Sequence, residues 1–170
     1  MTRIFETERL YIYPYSVEDF DDFFRLNGDE DIMRYIRPVK SREDTKLFFE
    51  QVLDDYITKP GLGRWGMRLK EDNRFVGSFA VIPVQQSRDI QLGYALLKDA
   101  WGRGYASEAV RGGINYVFDQ LKLSSVAAIT EAANEASQKV LLRNGFLFEK
   151  TFDEGEKKLF LYRLLPAVSV

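Results

Sequence analysis

The chain has 170 residues, 45% of them hydrophobic and 14% aromatic, which is enough for one folded core. Its 24 basic and 26 acidic residues leave a net charge of −2, so no long-range field draws nucleic acid or an anionic membrane toward it. The absence of cysteine and histidine excludes disulfides, thiol nucleophiles, a serine–histidine triad and the usual zinc ligands.

Acid–base chemistry must therefore use a carboxylate, tyrosine, serine, lysine, a chain terminus or water, and no metal is expected. No apolar run approaches the roughly 20 residues of a membrane span. The opening Met1-Thr2-Arg3-Ile4-Phe5-Glu6 has no signal-peptide core, so the expectation is a soluble cytoplasmic protein. There is no repeat, low-complexity tract or linker, which predicts one domain over residues 1–170.

Arg9 to Tyr13 alternates and stops at Pro14, as a first strand does. Ser16, with Asp19 three residues on, reads as a helix start, and Val17, Phe20 and Phe24 share one face of a helix ending near Gly28. A second helix is predicted from Arg42 to Ile57, with Phe49, Val52, Leu53 and Tyr56 on its apolar stripe. Trp65 to Leu69 and Phe75 to Pro83 read as a hairpin, followed by a strand from Ile90 to Leu97. The third helix repeats Ala106, Ala109, Val110, Gly113, Ile114, Val117, Phe118 and Leu121 without a break. Ala109 and Gly113 keep that face thin for close docking. Val126 to Thr130 is a buried strand, Glu135 to about Asn144 a helix with Gly145 at its C-cap, and Leu147–Phe152 with Leu159–Leu165 a last hairpin across Asp153 to Glu156. The order is β-α-α-β-β-β-α-β-α-β-β, a mixed α/β (α+β) sheet with a right-handed parallel crossover in its second half.

The stretch from Leu92 to Ser107 carries the chemistry. A strand enters a loop containing Gly102 and Gly104, and the loop opens the third helix. A helix N-terminus exposes unpaired N–H groups and a partial positive charge, and glycine lets main chain approach an anion closely. The two together suit a pyrophosphate. The plain alternative is a tight turn. A Walker loop is excluded because no G-x-x-x-x-G-K-[ST] is present. A dinucleotide fingerprint is weakened because Ser107 stands at its third glycine and no carboxylate lies near Leu123, ~20 residues on.

Trp101-Gly102-Arg103-Gly104-Tyr105-Ala106 resembles the coenzyme A loop of the GNAT superfamily of N-acetyltransferases, matching it at Gly104 and Ala106. The longer string to Ala109 is similar to the branch that acetylates ribosomal-protein N-termini, the RimJ/RimL type. Asn134-Glu135-Ala136-Ser137, with Val140 and Gly145-Phe146, resembles a second signature of that branch, as do Glu8-Arg9-Leu10 and Met33-Arg34-Tyr35-Ile36.

The resemblance implies a GNAT-like acyl-CoA N-acyltransferase fold and transfer of acetyl from acetyl-CoA to an amine. The main chain at Ala95, Leu96 and Leu97 would bond the pantetheine, and the N–H groups of Gly102, Arg103, Gly104, Tyr105, Ala106 and Ser107 would hold the pyrophosphate. Arg103 would meet a phosphate oxygen or stand solvated. Lys139 would meet the 3′-phosphate or lie on a polar helix face. Asn134 would bond the cofactor or cap its helix. The tyrosine common in the family falls at Leu141, so Ser137 is the candidate proton donor to the leaving thiolate, its alternative being a helix serine bonded to a carbonyl. The branch's glutamate falls at Gln91, leaving Asp89 and Glu131 as the nearest carboxylates. Glu108 suits the helix dipole, and Asp29-Glu30-Asp31 would attract a cationic acceptor or form a solvated loop. Arg64 and Tyr35 would line the acceptor cleft, with Trp65 in the core. The acceptor is a protein N-terminus or a small molecule such as a polyamine or aminoglycoside. Dimers are common in the resembling family. A non-catalytic acyl-CoA-binding module is the rival, suited by the losses at Gln91 and Leu141.

Overall fold

The computed structural model describes residues 2–168. Eight strands form one sheet: β1 (Phe5–Glu6), β2 (Leu10–Pro14), β3 (Gly63–Leu69), β4 (Phe75–Pro83), β5 (Ile90–Leu96), β6 (Val126–Glu131), β7 (Leu147–Glu154) and β8 (Lys157–Leu164). Their spatial order is β1-β2-β3-β4-β5-β6-β8-β7. Every pairing is antiparallel except the parallel contact of β5 with β6. The helices are α1 (Phe20–Asn27), α2 (Glu30–Met33), α3 (Arg42–Thr58), α4 (Tyr105–Asn115) and α5 (Glu135–Arg143). Among the described residues no helix is long and apolar enough to cross a membrane.

Two apolar clusters lie on opposite faces of the sheet. One packs α4 and Leu141 of α5 against Phe79, Val81, Leu92 and Leu96. The other packs α1, α2 and α3 through Phe23, Met33, Phe49 and Val52. Alternation along the strands divides the residues of β3, β4 and β5 between these faces.

Several boundaries differ from the sequence reading. The two-residue β1 is too short to carry a pattern. The first helical segment opens as a 3-10 turn over Val17–Asp19, which winds at three residues per turn and shifts the phase. The buried face of α1 is thus Phe23, Leu26 and Asn27, and Val17 is 70% exposed. The third helix does break: a π turn over Tyr116–Gln120 follows α4. There Tyr116 stacks on Phe5 and donates to the Gly61 carbonyl at 2.7 Å, and the wider turn accommodates both contacts. Asp29 to Asp31 opens a helix instead of forming a loop, and Glu30 and Asp31 are exposed. Asp29 caps α2, and Lys98 lies 3.4 Å from Asp29 and 3.1 Å from Asp31. The last hairpin turns at Gly155-Glu156, and its strands run further than the apolar pattern because charged residues can line the exposed strand β7.

Close docking of α4 depends on Gly113. A Cβ there would sit 2.7 Å from Cε1 of the fully buried Phe79. Glycine to alanine in an unpacked helix gains about 1 kcal/mol. Here Gly113→Ala is expected to lose roughly 1–3 kcal/mol by overpacking, read as a lower urea midpoint.

Candidate active site

The site begins where β5 and β6 part. They share a single register pair, Gln91 with Ala127. Beyond it the two strands border a cleft of about 1360 Å³. The ladder with β4 decides which main-chain groups of β5 face that gap. Leu97 N–H donates to the Val76 carbonyl at 2.9 Å, and Val84 N–H to the Asp89 carbonyl at 2.9 Å. Antiparallel pairs alternate, so Gly93 and Ala95 also turn their polar groups to β4, and Leu92, Tyr94 and Leu96 turn theirs to the gap. This corrects the expectation for Ala95 and Leu97. Leu97 is fully committed, because its carbonyl also accepts from Ala100 N–H. At Leu96 the carbonyl accepts from the Trp101 indole at 2.9 Å, leaving its N–H. Gly77 faces this end of β5, where a Cβ would come within 3.0 Å of the Leu96 Cα and overlap the Ala95 carbonyl.

The loop after β5 leads to the N-terminus of α4. Gly102 and Gly104 hold φ of 71° and 82°, a region costly for other residues. The first main-chain donor of α4 with a protein acceptor is Glu108 N–H, to the Gly104 carbonyl. The six N–H groups from Gly102 to Ser107 have no acceptor among the described residues. They form a run of donors at the positive end of a helix dipole.

A clamp from the turn between β1 and β2 fixes this loop. Glu108 accepts from the Thr7 hydroxyl at 2.6 Å and from Arg9 N–H and Nε at 2.7 Å each. Arg9 also donates to the Arg103 carbonyl at 3.1 Å and lies over the Tyr105 ring. Glu108 is thus a tie between distant segments as well as a dipole partner. Burial alone would raise its pKa, but the bonds from Thr7 and Arg9 outweigh that and hold it below the usual carboxylate range. Ser107 accepts from Asn144 at 3.0 Å, which joins α4 to the end of α5. The Glu8-Arg9-Leu10 string contains this clamp, but only a contact across 99 positions gives it that role.

Across the gap stands α5. Asn134 accepts from Ser137 N–H at 3.2 Å, so its carboxamide oxygen caps the helix, and its nitrogen donates to no acceptor among the described residues. Tyr94 of β5 reaches over the gap and donates to Ser137 Oγ at 3.4 Å. Burial raises the pKa of Tyr94, opposed by that bond, so its hydroxyl stays protonated at neutral pH. Tyr94 escapes sequence reading because nothing in its own strand indicates Ser137. Thr130 of β6 is buried and its hydroxyl has no partner, an orphan that a ligand lying in the gap would satisfy.

Ala95, Leu96, Gly102, Gly104, Tyr105, Ala106, Ser107, Asn134 and Ser137 all line the cleft. The side chains of Leu97, Arg103 and Lys139 do not. Leu97 is buried beneath α1–α3, and Arg103 Nε turns back to the Asp99 carbonyl at 3.1 Å. Lys139 is exposed on the outer face of α5, its polar-face alternative. Of the two carboxylates, Asp89 is held by Arg163 at 2.9 Å outside the cleft. Glu131 lines it, with one buried oxygen that has no hydrogen bond and lies 3.7 Å from Lys157. On the other side Arg64 and Tyr35 line the wall, and Trp65 is core at 1% exposure.

A model of the acetyltransferase (GNAT) domain matches residues 9–147. An uncharacterized N-acetyltransferase of Bacillus subtilis, YoaA, is 27% identical over 166 residues, 96% of this chain and 90% of that protein. The ribosomal-protein alpha-N acetyltransferase RimL, solved with coenzyme A, superposes at a TM-score of 0.80 with 16% identity, over 96% of this chain and 98% of that one. A spermidine N-acetyltransferase from Vibrio cholerae, solved with CoA and spermine, gives 0.76 with 18% identity, over 92% and 95%. At these identities the two structures establish the fold.

The clamp is testable by pH. Glu108 has a depressed folded-state pKa, so its contribution is present above the unfolded value of 4.5 and is lost as pH falls through the folded value. Glu108→Gln is expected to cost roughly 1–3 kcal/mol at neutral pH. That gap, measured by urea unfolding, should narrow as pH drops below 4.5.

Proposed function

Because the chain belongs to the GNAT acetyltransferase family, we propose that it moves the acetyl group of acetyl-CoA to a primary amine. The observation that carries this reading is the run of six unpaired N–H groups joined to the gap between β5 and β6. A phosphate anchor and an extended slot in one continuous cleft suit a long ligand with a pyrophosphate at one end and an amide-bearing arm.

The Gly102–Ser107 donors would take the pyrophosphate oxygens. Tyr94 N–H and C=O, Leu96 N–H and the Thr130 hydroxyl would meet the arm along the gap. Acetyl-CoA supplies a thioester, whose carbonyl carbon the amine attacks as the carbon–sulfur bond breaks. Fixed main-chain N–H groups suit the charge that grows on the carbonyl oxygen. The Tyr94–Ser137 pair, held at 3.4 Å across the gap, would supply a hydroxyl proton to the departing thiolate. That pair favours turnover over a module that only binds. A lysine amine, with pKa ~10.4, is harder to deprotonate than an N-terminal amine at ~8. Of the two nearest carboxylates, Glu131 lines the cleft and would be the one to take the amine proton, while Asp89 lies outside it.

Calorimetry with acetyl-CoA tests the donor. Wild type is expected to bind, and Gly104→Trp to lose binding because its side chain enters the phosphate cradle. A wild type that does not bind would sink the reading.

Release of free thiol tests the proton donor. Tyr94→Phe and Ser137→Ala are each expected to lower kcat roughly tenfold to a hundredfold with acetyl-CoA affinity kept. Full kcat in both would remove the pair from the mechanism.

A further inference from the structure

The acceptor side of the cleft carries two positive charges without carboxylate partners. Arg64 of β3, Ala80 of β4 and Gly93 of β5 share one register row. All three line the cleft on the face covered by α1–α3, opposite the α4 cluster that holds Trp65, Phe79 and Leu92. Arg37, just beyond α2, lines the same wall. Both guanidiniums lie 5.2 Å from the Phe48 ring. Arg37 donates to the Asn27 carboxamide at 2.8 Å. Among the described residues neither arginine has a carboxylate within 4.0 Å.

The nearby acids are occupied. Asp55 is 3.1 Å from Lys59, and its charge offsets only part of the lowering that burial imposes on the pKa of Arg64. Asp31 is 3.3 Å from Arg34 and 3.1 Å from Lys98. Both arginines are largely withdrawn from water, and burial brings Arg37 down to about 10, helped by the charge of Arg64. Two desolvated like charges are costly, and the π-face of Phe48 offsets only part of that cost. An anion bound at this wall would offset both charges, and the planar fork of arginine fits the oxygens of a carboxylate or a phosphate. A cationic acceptor would be repelled.

We propose that the acceptor is a small amine that also bears a carboxylate or phosphate, held by Arg37 and Arg64 so that its amine faces the gap at Gly93. This rests on the acetyltransferase reading and narrows it to one substrate class. The test uses matched amines with acetyl-CoA: amino acids against their amides, O-phosphoethanolamine against ethanolamine, and spermidine. The acid member of at least one pair is expected to win by roughly tenfold or more in kcat/KM, and which pair responds separates carboxylate from phosphate. Arg37→Gln and Arg64→Gln should erase that preference through KM and leave acetyl-CoA affinity at the wild-type value.

Equal or better turnover of the uncharged partners or of spermidine overturns the proposal, as does a preference that survives both substitutions. Loss of acetyl-CoA binding in wild type would instead count against the donor. A second measurement needs no turnover. Inorganic phosphate, added to protein saturated with CoA, should raise the Tm of wild type more than that of the Arg37→Gln/Arg64→Gln double variant. Equal shifts in the two proteins overturn the anion site whatever the donor does.

Discussion

One missing ladder governs this structure. An eight-stranded sheet with every strand fully paired would be a closed wall, and a wall binds nothing along its plane. Here β5 and β6 meet at one residue pair and then separate, so a set of strand polar groups is left facing open space in mid-sheet. Unpaired main-chain groups at such a place are costly unless water or a ligand takes them. The helices follow from the same opening. The chain leaves β5, crosses by α4 and returns as β6, so the start of α4 sits at the mouth of the gap. α5 starts from the C-terminal end of β6, at the same edge of the sheet, and packs beside α4.

The N–H cradle needs a rigid frame as well as free donors. Its glycines permit the turn but also leave the unfolded chain many conformations to lose. Arg9 and Glu108 supply the constraint, and a contact spanning 99 positions makes loop geometry depend on the first strands. Gly113 acts in the same sense from below, since it lets α4 lie close enough on Phe79 for the helix end to reach the gap.

What the sequence revealed was local. The Gly102–Ser107 loop, the unbroken start of α4 and the Asn134 cap all have signals within a dozen residues, and each stands where the pattern put it. Phase errors entered where one kind of turn gave way to another, as at Val17 and at Tyr116. What the sequence hid was pairwise. The direction of each β5 carbonyl depends on its register with β4, so Tyr94 and Leu96, not Ala95 and Leu97, open to the gap. The Tyr94–Ser137 contact joins a strand to a helix 43 positions on. Arg37 gave no signal at all, since an arginine in a loop looks the same whether it is solvated or sealed into a wall.

A net charge of −2 gives the whole molecule no preference for anions, yet the cleft carries groups whose chemistry suits anions at both ends, and they are of different kinds. At the loop end the groups are main-chain dipoles. They carry no formal charge, can sit near water unpaired at little cost, and suit a ligand long enough to add affinity elsewhere. At the acceptor end the groups are two guanidiniums packed on Phe48. A small acceptor has few atoms with which to bind, so its selection must come from a few strong contacts. Charged donors withdrawn from water provide these, because the lower dielectric there weakens an arginine's interaction less than bulk solvent does. On the proposed reading the division follows from ligand size: a long donor would be gripped by many weak groups, and a short acceptor would be chosen by a few strong ones.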